Sequence, residues 1–412
     1  MLISTALVLV MTPAVGFFYS GMVRRKNTLN TLMMSFASLG FVGLAWALVG
    51  YSLAFAPSVT GSHGSIGTLD YGLLRGVGVD AHGTIPHLLF MAFQATFAII
   101  TAALISGAIV ERMRFGPYVA FIVLWSIIVY APIAHWVWAS DGWLAKLGTL
   151  DFAGGTVVHI NAAAAAFVVA LVVGPRKDFA RQALLPQNIP FTLLGAGLAW
   201  FGWFGFNAGS ALGANASAAL ALVNTMFAPM ATSVVWAILD MRRTGKVTAI
   251  GMATAIVVGL VAITPAAGFV SPVSAIVIGA ASAFPSYFAL LFRARTRLDD
   301  SLDVVSAHGV GGIMGALLTG VLAQKAWNGA TDGALFGNPG QLWTQAIAVV
   351  ATIVYSMVAT YVILKVMGLV VTLRASTEQE GVGLDVGQHG EEAYSHGEGA
   401  ILIVGERRGK GR

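Results

Sequence analysis

Eleven apolar runs, each near the roughly 17 to 25 residues that cross a bilayer as a helix, fill most of this sequence. They lie at 1–23, 30–55, 88–110, 116–137, 155–174, 189–212, 216–239, 247–268, 271–292, 304–324 and 341–371. Backbone amides left unpaired in hydrocarbon are costly, so a chain written this way folds as helices that close their hydrogen bonds within each span. Composition agrees: 57% of the 412 residues are hydrophobic, only 10% are charged, and the mean hydropathy is +0.80. A soluble globular class is excluded, and the expected fold is an all-α polytopic membrane protein. The absence of cysteine removes disulfides, thiolate chemistry and Cys-based metal sites from consideration.

Basic residues alternate along the loops. Arg24, Arg25, Lys26, Arg112, Arg114, Arg176, Lys177, Arg181, Arg242, Arg243, Lys246, Arg293, Arg295 and Arg297 fall on one side, and Arg75, Lys146 and Lys325 on the other. Positively charged loops stay in the cytoplasm, so the amino terminus is expected outside, the carboxyl terminus inside, and the protein multi-pass in the cell inner membrane. The net charge of +5 is thereby explained by topology and lipid, without a nucleic-acid partner. The run 1–23 lacks a basic leader and reads as a first span, not a secretory signal. Two halves with an odd number of spans must run in opposite directions, so eleven spans suggest an inverted repeat. The expected units are 1–174, 189–324, a final helix at 341–371, and a tail at 372–412.

Two histidines interrupt this apolar pattern. In DFAGGTVVHINAAAAAF, His159 is followed at offsets three, four and seven by Ala162, Ala163 and Ala166. In HGVGGIMGALLTG, His308 is followed at the same offsets by Gly311, Gly312 and Gly315. Each histidine thus heads a helix face stripped of bulk, against which another backbone packs closely. Either one alone reads as a core histidine bonded to a carbonyl. The matched pair points to a pathway, because ionisable groups inside a membrane are costly. Both sit within two turns of a helix start, so a meeting near the midplane requires the preceding segments to dip into the protein beside a cavity. Asp151 and Asp303 precede the histidines and suit helix amino termini; capping is the expected role of Asp303, and a structural role is favoured for Asp151.

Rings and hydrogen-bonding groups collect nearby. Trp203, Phe206, Asn207 and Ser210 share one face of the sixth span, Phe93 and Phe97 stack in the third with Gln94 beside them, and Trp138 ends the fourth. Aromatics in a membrane protein are most often core or interfacial anchors. Together these fit a shallow outer site where rings attract a small cation and a hydroxyl accepts its hydrogen bond. Cation–π attraction of about 0.5 to 2 kcal/mol per contact is far below the cost of fully dehydrating an ion, so such a site selects a cation without passing it intact through a dry pore.

The segments FYSGMVRRKN, FQATFAIIT, PIAHWVW, DFAGGTVVHINAA, GWFGFNAGSA, AHGVGGIMG and GLDVGQHGEEAY resemble, in order and over nearly the whole chain, the ammonium transporters of the Amt/Mep/Rh group, and among them the bacterial Amt branch. The resemblance implies a homotrimer with one pore per eleven-helix subunit, no cofactor, no metal and no enzymatic activity. It implies an outer ammonium site at Trp138, Phe97 and Ser210 with Phe93 and Trp203 nearby, a phenyl gate of Phe97 and Phe206, a pore pair of His159 and His308, and a structurally essential acid at Asp151.

Ammonium recruited at the rings must shed a proton before entering an apolar channel, and paired imidazoles offer a donor and an acceptor that relay it. The positive ends of the fifth and tenth spans are expected to disfavour an intact cation there. Three rivals stand beside this reading: an electroneutral ammonia channel, an ammonium sensor without net transport, and a haem held axially by the two histidines. The short tail after Arg374 counts against the sensor, and the small residues around the histidines against the haem. The tail is polar and reads as solvated, while GLDVGQHGEEAY resembles the family's regulatory tail, implying docking of a cytoplasmic PII signal protein. Beyond Tyr394 the chain continues with SHGEGAILIVGERRGKGR, whose AILIV is too short to span a membrane.

Overall fold

The computed structural model describes residues 1–394, so the AILIV segment lies outside the described residues. Eleven apolar helices follow in order: α1 (Leu2–Met22), α2 (Arg25–Phe55), α3 (His87–Ala108), α4 (Phe115–Leu147, interrupted at 139–142), α5 (Gly155–Val173), α6 (Ile189–Gly209), α7 (Ala216–Thr244), α8 (Ala249–Ile263), α9 (Pro272–Arg293), α10 (Val305–Leu322) and α11 (Gly340–Val370). Among the described residues ten are long and apolar enough to cross a membrane, and α8 is shorter. Its expected range, 247–268, was too long at the carboxyl end. The chain leaves the helix at Thr264–Pro265, where proline cannot donate to the ladder, and turns to receive the segment before α5. There the Phe152 amide donates to the Pro265 carbonyl at 3.1 Å, and the Phe152 ring lies so close to Gly268 that a Cβ would sit 2.1 Å from it.

Helices α1–α5 and α6–α10 share several features. The largest helix contact is α1 along α6, their first members. Gly202 and Gly205 bring the backbones together, since a Cβ at either would lie 2.3 or 2.6 Å from Met11 and Leu7 side-chain atoms. The last members, α5 and α10, each begin with a widened π-helical stretch, Gly155–Ile160 and Val305–Val310, and each stretch contains one of the histidines. Such stretches recur at functional sites because the extra residue per turn redirects a side chain.

Capping departs from expectation on one side. The Asp151 carboxylate accepts from the amides of Gly154, Gly155, Thr156 and Val157 at 2.6 to 3.1 Å. At α10 the cap is Asp300, which accepts from Val304 and Val305 at 3.1 and 2.7 Å. Asp303 instead takes a left-handed φ of 59° and pairs with Arg293 at 2.6 Å. Asp300 precedes His308 by the same eight residues as Asp151 precedes His159, so the repeat extends to the acids. Most residues of both preceding segments are buried in protein.

One face of the bundle gathers the basic loops. Buried Glu111 accepts from the Arg24 amide and Nε, from Asn27 Nδ2, and from Arg176 at 2.8 Å. Arg176 also holds Asp299 through Nε and Nη2 at 2.9 and 2.8 Å. Burial pushes both carboxyls up, but the guanidinium groups outweigh it and hold each below the ordinary carboxylate range.

The tail is docked on this face and is not simply solvated. A short helix, α12 (Thr377–Val382), opens with a capping box of Ser376 and Gln379. Glu380 then binds Arg374 and the Lys177 amide, and Asp385 accepts from the Leu29 and Asn30 amides at 3.0 and 2.7 Å. His389 meets Asn30 at 3.0 Å and the Phe115 ring edge to face.

Candidate functional site

The two widened turns bring His159 and His308 together. Their Nδ1 atoms are 3.2 Å apart and the rings lie 26° from parallel, with only 2% and 4% of each residue exposed. At that distance one Nδ1 donates and the other accepts. The neutral pair therefore contains both tautomers, and presents one bare Nε2 and one Nε2–H to its surroundings. His159 Nε2 is buried without a protein partner. Rings in direct contact leave no slot for a macrocycle, which removes the haem rival. Among the described residues no three His, Asp or Glu side chains are grouped to hold a metal ion. Another histidine of a quoted motif, His135, spends its nitrogens on the Ala54 carbonyl and Ser58.

A chain of rings leads away from the pair. Trp203 stacks on His159 at 5.3 Å and donates through Nε1 to Thr264 Oγ1 at 2.9 Å. Phe206 follows at 6.1 Å from His159, and it stacks on Phe97 with centroids 4.2 Å apart. This last stack lies between two cavities. On the histidine side is a space of about 20 Å³ bordered by Met11, Tyr19, Leu104, Val257 and both histidines, with room for little more than one water-sized molecule. On the other side is a cavity of about 130 Å³, bordered by Phe97, Trp138, Ser210, Gln94, Phe90 and Phe152.

This mouth contains three of the five residues expected at an outer site. Trp138 crosses Phe97 edge to face at 5.8 Å, and its Nε1 is tied to the Asp151 carbonyl at 2.9 Å. Ser210 donates to the Phe206 carbonyl one turn earlier at 2.9 Å, which turns its lone pairs outward. Trp203 lies across the phenyl stack, against His159. Phe93 packs behind Phe97 at 4.9 Å, next to Gly209, and does not border the cavity. The face of α3 that does so is Phe90, Gln94 and Phe97, at offsets zero, four and seven. Asn207, expected on the functional face of α6, donates to Thr225 and does not border the cavity. Phe152 was missed. Its signal was proximity to Asp151, but its partner Pro265 is remote in sequence.

Asp151 makes no contact with the mouth. Both its oxygens are spent on amides, while its carbonyl anchors Trp138, so one residue sets both the indole and the start of the His159 helix. Asp151 and Asp300 also change the electrostatics expected of α5 and α10. Each positive helix end carries a carboxylate, so the dipole barrier to a cation is offset.

Comparison with known proteins agrees with these features. The sequence pattern of the Ammonium Transporter Family matches residues 1–394. An ammonium transporter of Aquifex aeolicus is 49% identical over 398 residues, covering 96% of this chain and 92% of the relative. The crystal structure of Saccharomyces cerevisiae Mep2 superposes with a TM-score of 0.88 at 35% identity, covering 97% of this chain and 91% of that one. A structure described as a sensor Amt protein superposes with a TM-score of 0.86 at 30% identity, covering 94% and 96%. With the pattern matched from the first helix to the docked tail and the fold shared, this chain is a member of the ammonium transporter family.

Proposed function

We propose that the protein takes up ammonium by separating it into ammonia and a proton. Ammonium is recruited at the mouth by Trp138, Phe97 and Ser210. It loses a proton there, ammonia passes the gate of Phe97 and Phe206, and the proton is relayed through His159 and His308. The observation that carries this reading is the direct Nδ1 contact of the histidines beyond an apolar constriction. A neutral molecule enters such a space at modest cost, whereas an unpaired ion does so at tens of kcal/mol in the limit of a dry interior. A proton arriving at the bare Nε2 of one ring lets the shared Nδ1 proton shift across 3.2 Å, and the second ring then releases one from its own Nε2.

The orientation proposed places the mouth outside the cell and the basic face with its tail in the cytoplasm, following the positive-inside rule. Residues 1–174 and 189–324 act as the two halves of one scaffold, with 341–371 beside them and 372–412 as a regulatory tail. Assembly as a homotrimer and capture of the cytoplasmic face by a PII signal protein belong to the same proposal. The family supports both, and the docked tail supports the second.

An ammonium concentration jump on proteoliposomes fused to a solid-supported membrane tests the mechanism. The expected result is a transient current that saturates with ammonium and is altered in His159→Ala. Ammonia uptake without current would favour an electroneutral channel. Ammonium binding without uptake would favour the sensor reading, which the likeness to a sensor Amt structure keeps in view.

A further inference from the structure

We propose that Gln94 is a direct ligand for ammonium at the mouth, supplying the second hydrogen-bond acceptor that Ser210 alone does not; this rests on the transport reading above. Gln94 stands between Phe90 and Phe97 on the face of α3 that borders the 130 Å³ cavity. It is only 8% exposed. Its Oε1 is buried without a hydrogen-bond partner among the described residues. A buried amide with no protein partner lowers stability unless a ligand or water completes it. In this structure Oε1 is the enclosed end; no hydrogen bond to the protein holds it there, so an occupant of the cavity selects which end faces it. A cation that donates N–H bonds selects the carbonyl.

The chemistry of the mouth then becomes specific. Ser210 Oγ, whose own proton goes to Phe206, offers lone pairs from α6, and Gln94 offers a carbonyl from α3. The rings of Trp138 and Phe97 border the same space. Ammonium directs four N–H bonds tetrahedrally and is satisfied by two oxygens and aromatic faces. An alkali cation of similar size requires more oxygens than this site holds. Gln94 therefore contributes discrimination as well as affinity.

The test uses the full chain in proteoliposomes with ammonium chloride as the probe, reading both half-saturation and maximal rate. Gln94→Met keeps length and removes the acceptor; half-saturation should rise about tenfold, the lower end for losing one hydrogen bond to a charged group, with the maximal rate within about twofold. Gln94→Glu keeps an acceptor and adds charge, so its half-saturation should equal or fall below that of the unaltered protein. A packing role would not be rescued by a carboxylate. Unchanged half-saturation in Gln94→Met, or a rise in both variants, overturns the assignment. Should Gln94→Met fail to fold, the direction of the shift in Gln94→Glu decides alone. Absence of saturable transport by the unaltered protein would instead overturn the transport reading itself, and is read from a separate sample.

Discussion

At the scale of the residue, the shared proton between His159 and His308 makes the two rings one device. A side chain that keeps the hydrogen bond but cannot exchange its proton separates packing from relay. Asparagine at 308 meets that description. His308→Asn should preserve folding, while the ammonium-driven current falls about 100-fold, the scale on which loss of a proton-transfer group is felt. Undiminished current in the folded variant would take the relay out of the mechanism. The histidines were legible in the sequence because their small-residue faces match. Their separation was not, because it depends on two widened turns that no residue pattern marks. The same limit explains Phe93 and Phe90. They stand four and seven residues before Phe97, both near its side of the helix, and only the position of α6 decides which of them borders the cavity.

At the scale of the element, α10 shows how a repeat is better evidence than a local motif. Asp303 looks like a cap because it stands just before the helix, whereas Asp300 matches the spacing of Asp151 in the other half. Asp300→Ala should cost about 1 to 2 kcal/mol, as loss of a helix cap does. Asp303→Asn should cost less than about 1 kcal/mol, since its partner Arg293 lies on the partly exposed side of the loop. Thermal unfolding in detergent measures both, and equal losses would reverse the assignment. The tail supplies a second case. Burial pushes the His389 imidazole below its ordinary value, and Asn30 meets its Nε2 through an amide nitrogen, which requires a neutral ring there. The docked state thus favours the unprotonated ring. Its contribution is present above the free imidazole value of about 6.5 and is lost as pH falls through the lower docked value. Protease cleavage between residues 376 and 394 should accelerate at pH 5.5 relative to 7.5, after correction for the protease's own pH dependence; equal rates would dismiss His389 as a pH-sensitive contact.

At the scale of the whole molecule, the basic loops that revealed topology turn out to be structural at their core. The sequence shows fourteen cations on one side, but it does not show that Arg176, just after the His159 helix, is clamped between Glu111 and Asp299 from loops remote in sequence. Those partners are joined only by the closure of the bundle. Removing the cation leaves Glu111 with Arg24 and Asp299 with only the 3.9 Å contact to Arg112, so Arg176→Met should lower stability by about 3 kcal/mol at neutral pH, the lower end for breaking a buried pair. The pH dependence then reverses in sign. In the unaltered protein both carboxyls titrate below the ordinary range; their contribution is full above the unfolded value and is lost as pH falls through the depressed native ones. In the variant Arg24 and Arg112 offset burial only in part, both native values move up, and protonation relieves part of the cost. The stability gap should therefore narrow as detergent-solubilised protein is taken from pH 7 towards pH 4. A gap that stays constant or widens would mean that the clamp is a solvent-screened surface pair without a part in holding the loops together.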